Sequence, residues 1–178
     1  MPTSDRNPLT ILRKSYQDCD VRLWDFIELN MESLLGLLTF TDVAETFAIA
    51  FAEVNSRDKA DFLIEALKQS PYRSHIQLEV LDFSGRRIES LRWELDEVLP
   101  MLALETGKKR VMVLRGLESS IDTSLEYPSL VVSMNGMRDV LVDWTPHPVI
   151  FVLPRDAIES VARFARDFWS WSALYVFR

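Results

Sequence analysis

From residue 47 to the end of the chain, short blocks of almost continuous apolar residues alternate with longer blocks in which apolar residues return every three or four positions. The first kind of block suits a strand covered on both faces, the second an amphipathic helix. The pattern predicts strands at 47–54 (FAIAFAEV), 110–114, 149–153 and 174–177, and another at 76–83 (IQLEVLDF), which alternates like a strand exposed on one side. Between them it predicts helices over 57–69, 88–106, 130–143 and 155–168. The first of these has Ala60, Leu63, Ile64 and Leu67 on its inward stripe, the second Leu91, Leu95, Val98, Leu99 and Leu102, and the last Ile158, Val161, Ala162 and Ala165. Asn55-Ser56 ends the first strand and caps the helix after it. Pro100 is expected to kink the 88–106 helix, and Gly107 followed by Lys108 and Lys109 to close it. Five strands separated by four helices argue for an α/β fold with a five-stranded, mostly parallel, doubly wound sheet. Residues 147–178 are its most regular part and read as one βαβ unit.

Ahead of the sheet, Asn7-Pro8 offers an N-cap and a first-turn proline for a helix running to about residue 16. Leu23, Ile27, Met31, Leu34 and Leu38 fall on one face and predict a second helix over 21–38, followed by a polar connector at 39–45. The expected organisation is an N-terminal helical pair, residues 1–40, packed on an α/β domain, residues 41–178.

Composition narrows the function classes. With 48% hydrophobic residues in 178, the chain can build the core of a single domain. A net charge of -7 and a pI near 4.9 oppose attraction to nucleic acid or anionic membrane, so neither is expected as a partner. Asp42, Glu45 and Glu53 interrupt the longest apolar stretch, which stays short of the ~20 residues a membrane helix needs. The single cysteine, Cys19, rules out an internal disulfide framework and leaves a cytoplasmic location as the expectation. Its neighbours Asp18 and Asp20 disfavour the thiolate. One cysteine and two histidines do not make a usual zinc site. His75 and His147 both precede strands, whereas ligand sites of α/β sheets form beyond the strands' carboxyl ends, which argues against a Ser-His-Asp hydrolase.

Several segments together carry a family resemblance. They are Ser33-Leu34-Leu35-x-Leu37-Leu38-x-Phe40, Phe47-x-Ile49-Ala50-Phe51, Asn135-x-x-Arg138-Asp139, His147-Pro148-Val149-Ile150-Phe151-x-Leu153-Pro154 and, most specifically, Ala165-x-Asp167-Phe168-Trp169-Ser170-Trp171. From about residue 33 onward the chain resembles a bacterial, STAND-like ATPase module with a degenerate P-loop, a module often placed ahead of tetratricopeptide repeats. Arg166 and Ser172 stand where that family's pattern has proline and arginine. The resemblance implies a P-loop-type fold, so the phosphate-binding parts can be looked for directly.

They are degenerate. A Walker A loop, G-x-x-x-x-G-K-[ST], places backbone N–H groups and a lysine around phosphate between the first strand and its helix. That position reads Glu53-Val54-Asn55-Ser56-Arg57-Asp58-Lys59, without a glycine. The pair Gly107-Lys108 precedes a strand and lacks the remaining motif residues. Val111 to Leu114 looks like the apolar half of a Walker B strand, but Arg115 follows where an acidic metal ligand would sit. Glu118 reaches that place only if the loop bends back. No catalytic residue, metal or cofactor is expected on these grounds.

The polar residues predicted at the carboxyl edge are Asn55, Arg57, Asp82, Glu118, Arg155 and Asp156. They serve either as ordinary caps and loop residues or as the lining of a remnant crevice for a nucleotide or a partner's polar group. Asn135, Arg138 and Asp139 share a helical face that either meets a partner or is solvated. Trp169 and Trp171 either both enter the core or divide, with one available for docking. The reading that follows is a non-catalytic ATPase-like regulatory or interaction module of a larger bacterial signalling or defence protein. The alternative is a nucleotide-binding NTPase or nucleotide sensor with an unorthodox phosphate site. The expected partner is protein, such as a C-terminal repeat region of the same polypeptide, because a last strand at a sheet edge leaves backbone groups to be covered.

Overall fold

All five predicted strands enter one sheet. In the computed structural model, which describes residues 8–121, 124, 127–137, 139, 142 and 147–178, they are β1 (Ala48–Val54), β2 (Ile76–Asp82), β3 (Lys109–Arg115), β4 (Pro148–Leu153) and β5 (Ser172–Phe177). Their order across the sheet is β2-β3-β4-β1-β5, and every pairing is parallel. The apolar runs of β1, β3 and β4 are the three interior strands, buried on both faces as their composition demands. β1 lies between β4 and β5, with Phe51 level with Phe151 on one side and Leu174 on the other. The βαβ unit read at 147–178 is therefore split: its two strands are not neighbours.

Among the described residues eight helices follow from the longer blocks: α1 (Pro8–Ser15), α2 (Val21–Leu29), α3 (Met31–Val43), α4 (Arg57–Lys68), α5 (Leu91–Val98), α6 (Ser129–Asn135), α7 (Arg155–Phe164) and α8 (Arg166–Trp169). Side chains of β1, β3 and β4 alternate between two core layers. Ala50, Ala52, Val111, Val113, Ile150 and Val152 meet α1 to α4 on one face. Ile49, Phe51, Met112, Leu114, Val149 and Phe151 meet α5 to α8 on the other. The chain leaves β1 in one direction across the first face and travels β2, β3, β4 in the opposite direction across the second, which gives every crossover the same hand. Among the described residues no helix is long and apolar enough to cross a membrane.

Four boundaries differ from the periodic pattern, each for a visible reason. The helix read over 21–38 breaks at Asn30 (φ -112°, ψ 20°) into α2 and α3, giving three helices ahead of the sheet instead of two. The Asn30 amide donates to Phe26 O (2.8 Å) and Arg178 O (3.0 Å), and its oxygen accepts from Arg178 N (2.6 Å). The supposed polar connector at 39–45 is largely helical. The hydroxyls of Thr39 and Thr41 donate to carbonyls within α3, and Lys109 Nζ caps its end on Asp42 O (2.7 Å) and Ala44 O (3.1 Å).

The helix read over 88–106 shrinks to α5 and a 3₁₀ turn at Leu99–Met101. At its start the Ile88 N–H is drawn off to Ser120 Oγ (2.9 Å). Beyond Pro100, Arg110 and Gln77 take up the carbonyls of Leu102 and Ala103 (2.7 and 2.8 Å). Gly107 does adopt the left-handed conformation, at φ 81°, but in a turn before β3 and not as a helix cap. The helix read over 155–168 breaks at Ala165 (φ -120°, ψ 57°) into α7 and α8, and Asn135 Oδ1 accepts from Asp167 N (3.1 Å). Part of the helix read over 130–143, including Arg138, lies outside the described residues.

Candidate functional site

Neighbouring strands whose connections depart in opposite directions leave a gap at their carboxyl ends. Here those strands are β1, which leads toward β2, and β4, which leads toward β5. Their carboxyl ends, with that of β3, border a crevice of about 300 Å³. Val54, Ala60, Val152 and Pro154 supply its apolar wall, and Asn55, Ser56, Arg57, Ser84, Arg115, Gly116, Glu118 and Ser119 its polar wall.

The β1–α4 connection is two residues long. β1 ends at Val54 and α4 starts at Arg57. Both linking side chains are engaged: Ser56 Oγ accepts from Lys59 N (3.2 Å) as the N-cap of α4, and Asn55 Oδ1 accepts from Arg155 N (2.9 Å) at the start of α7. Asn55 thus ties the ends of the two central strands together across the crevice. No glycine-rich loop wraps this position.

Arg115, the last residue of β3, dominates the opposite wall. Its side chain is only 11% exposed; Nη1 donates to Asp61 Oδ1 on α4, and Nε lies 3.4 Å from Asp82 Oδ2 at the end of β2. The guanidinium therefore joins three elements, and its near-complete burial requires those carboxylates. Asp82 also accepts from Ser84 N (2.8 Å). Partial burial pushes its pKa up, but hydrogen bonds from Ser84 and the charges of Arg115 and Arg57 outweigh this and hold it below the ordinary aspartate value.

Beyond Arg115 the chain turns at Gly116, with φ 75°. A Cβ there would overlap the Ser84 backbone, so position and conformation both require glycine. The turn carries Glu118 back to the crevice wall. The loop does bend as the Walker B comparison would need, yet it brings a single carboxylate beside two arginines. Among the described residues no three His, Cys, Asp or Glu side chains are placed to hold a metal ion.

The structure thus brings Asn55, Arg57 and Glu118 together at the crevice, with Asp82 behind Arg115. Arg155 contributes its backbone N–H, while its side chain pairs outside with Glu159 (2.8 Å). Asp156 is an exposed first-turn residue of α7. Sequence reasoning missed Asp61, Ser84 and Gly116, and it noted Arg115 only as a defect. An arginine closing the apolar run Val111 to Leu114, followed by glycine, was the available signal.

The second candidate surface also divides. Asn135 is consumed in positioning α8, and Asp139 is exposed. Trp169 is half-buried against Phe51, with ring centroids 5.2 Å apart, whereas Trp171 is 59% exposed. The fully buried ring of this segment is Phe168, set edge-on to Phe151 at 5.5 Å. Leu174 and Val176, 43% and 39% exposed, share one face of β5. The edge itself is not bare: Ser33 Oγ donates to Val176 O (2.7 Å) and Asn30 pairs with Arg178.

No protein-family model matches the sequence, and no curated protein matches it. Solved structures do. ORC2 of Aeropyrum pernix, in its ADP form, is 8% identical with a TM-score of 0.51 over 92% of this chain and 52% of its own. Rif2 of Saccharomyces cerevisiae is 9% identical with a TM-score of 0.53 over 96% of this chain and 60% of its own. The Drosophila ORC structure bound to DNA is 11% identical with a TM-score of 0.53, over 96% of this chain and 33% of that one. The chain spans between a third and three-fifths of these proteins. At such identities the likeness is one of fold. This chain has an AAA+-like α/β fold, with five parallel strands in the order β2-β3-β4-β1-β5 and helices ahead of the first.

Proposed function

We propose that this domain is a non-catalytic ATPase-like module that acts through protein contacts within a larger signalling or defence protein, as its STAND-like sequence features imply. The observation that carries the reading is the two-residue β1–α4 connection facing an ion-paired Arg115. A phosphate chain needs several converging N–H donors and net positive charge. Here Arg57 and Arg115 face Asp61, Asp82 and Glu118, so the carboxylates are in excess and one of the two guanidiniums is already neutralised.

The surface offered to a partner protein, such as a repeat region of the same polypeptide, is the region of exposed Trp171, Leu174 and Val176 at β5. An aromatic anchor beside aliphatic residues is the composition of interface hot spots. DNA belongs to the Drosophila complex; a chain of net charge -7 does not favour it here. The reading is tested by titrating ATP, ADP and GTP with magnesium in a calorimeter and by following phosphate release. Neither heat of binding nor turnover is expected. Sustained release that Glu118→Gln abolishes would establish the nucleotide-hydrolysing alternative.

A further inference from the structure

We propose that the crevice binds the zwitterionic head of a small aliphatic α-amino acid. Once Arg115 is set aside with Asp61 and Asp82, two charged side chains remain on its wall, Arg57 and Glu118. Both are exposed, and neither side chain makes a hydrogen bond or a close ion pair among the described residues, although the charge of Arg57 reaches Asp82. One cation and one anion on the wall of a single cavity complement a ligand that carries one of each. The Arg57 fork suits a carboxylate, and Glu118 accepts from an ammonium. Ser84 and Ser119 stand on the same wall and add neutral hydrogen-bonding groups.

Size and polarity narrow the class. A volume of about 300 Å³ lies at the lower limit of ligand pockets. The apolar wall of Val54, Ala60, Val152 and Pro154 favours an aliphatic side chain over a polar one. The excess of carboxylates around Arg115 opposes a purely anionic ligand, while the Arg57 guanidinium, whose charge reaches Asp82 but which makes no close ion pair, would face a purely cationic one. A ligand bearing both charges complements both residues.

The inference is independent of the protein-contact reading. A crevice that takes up no amino acid leaves that reading standing, and phosphate release would end that reading without deciding this one. The probes are leucine, leucinamide, which lacks the carboxylate, and N-acetylleucine, which lacks the ammonium. Each is titrated calorimetrically into the domain and into Arg57→Gln and Glu118→Gln. Both substitutions are at exposed positions, and circular dichroism checks that the variants are folded.

Leucine is expected to bind, and each variant to weaken it by about tenfold or more, as the loss of one charge-assisted contact predicts. The two blocked compounds are expected to bind at least that much more weakly than leucine. Failure of leucine to bind at millimolar concentration would overturn the proposal. So would N-acetylleucine or leucinamide binding as tightly as leucine, which would make the crevice a site for one charge only, or leucine affinity unchanged in both variants, which would place the ligand elsewhere.

Discussion

Arg115 shows how one side chain decides what a fold can do. At the end of β3 it stands where the Walker B comparison has an acidic residue, and it needs Asp61 and Asp82 to be tolerated there. The linkage with pH follows from Asp82. Its folded pKa lies below its unfolded value, near 3.9, so its contribution to stability is complete only well above that unfolded value, from about pH 5, and is lost as pH falls through the folded value. Urea denaturation at pH 7 and pH 3 is expected to show that Asp82→Asn lowers stability at pH 7 and leaves a shallower acid decline than the parent. An unchanged acid limb would remove Asp82 from the account. In the aromatic segment, Phe168→Ala is expected to cost ~3–5 kcal/mol because its ring is wholly enclosed. Trp169→Ala should cost less, and Trp171→Ala within ~0.5 kcal/mol of nothing, the signature of a surface residue. Chemical denaturation of the three variants gives the order.

Among the elements, Gly116 and Asn30 are the joints. Gly116→Ala combines a left-handed backbone with a clash on Ser84, and is expected to destabilise by at least ~2 kcal/mol in denaturant unfolding. Asn30→Ala forfeits the three bonds to Phe26 and Arg178 and should cost ~1–3 kcal/mol, with faster amide exchange at Arg178 as its local mark. The strands and the inward stripe of α4 were legible in the sequence because burial on both faces or on one stripe writes itself as an apolar run or a 3.6-residue period. The joints were not. Asn30 breaks a good helical pattern because of a partner 148 residues away, and Asn55 bonds Arg155 across 100. Lys109 looked like the cap of its own preceding helix and instead caps α3. The place of β1 between β4 and β5 is likewise invisible to local periodicity. For the crevice, Asn55, Arg57 and Glu118 were readable from their positions after strands, while the ion pairs of Arg115 required the tertiary arrangement.

For the whole molecule, the absence of a phosphate cradle predicts indifference to nucleotide. A ligand held at about 10 μM would, at about 1 mM, add ~2.7 kcal/mol of stability and raise the melting temperature by several degrees. Calorimetric scans with ATP and magnesium are expected to show no such rise. The sheet order has a further consequence for how the chain comes into being. β1 is made early, yet its two neighbours are β4, roughly a hundred residues downstream, and β5, later still. At a synthesis rate of about 5–20 residues per second, β1 waits on the order of 5–20 s before the first of them leaves the ribosome. Through that interval a seven-residue strand, apolar but for Glu53, has no strand partner on either side. The centre of the sheet therefore cannot close until β4 and β5 have been made, and pairing across such sequence separations is expected to slow folding.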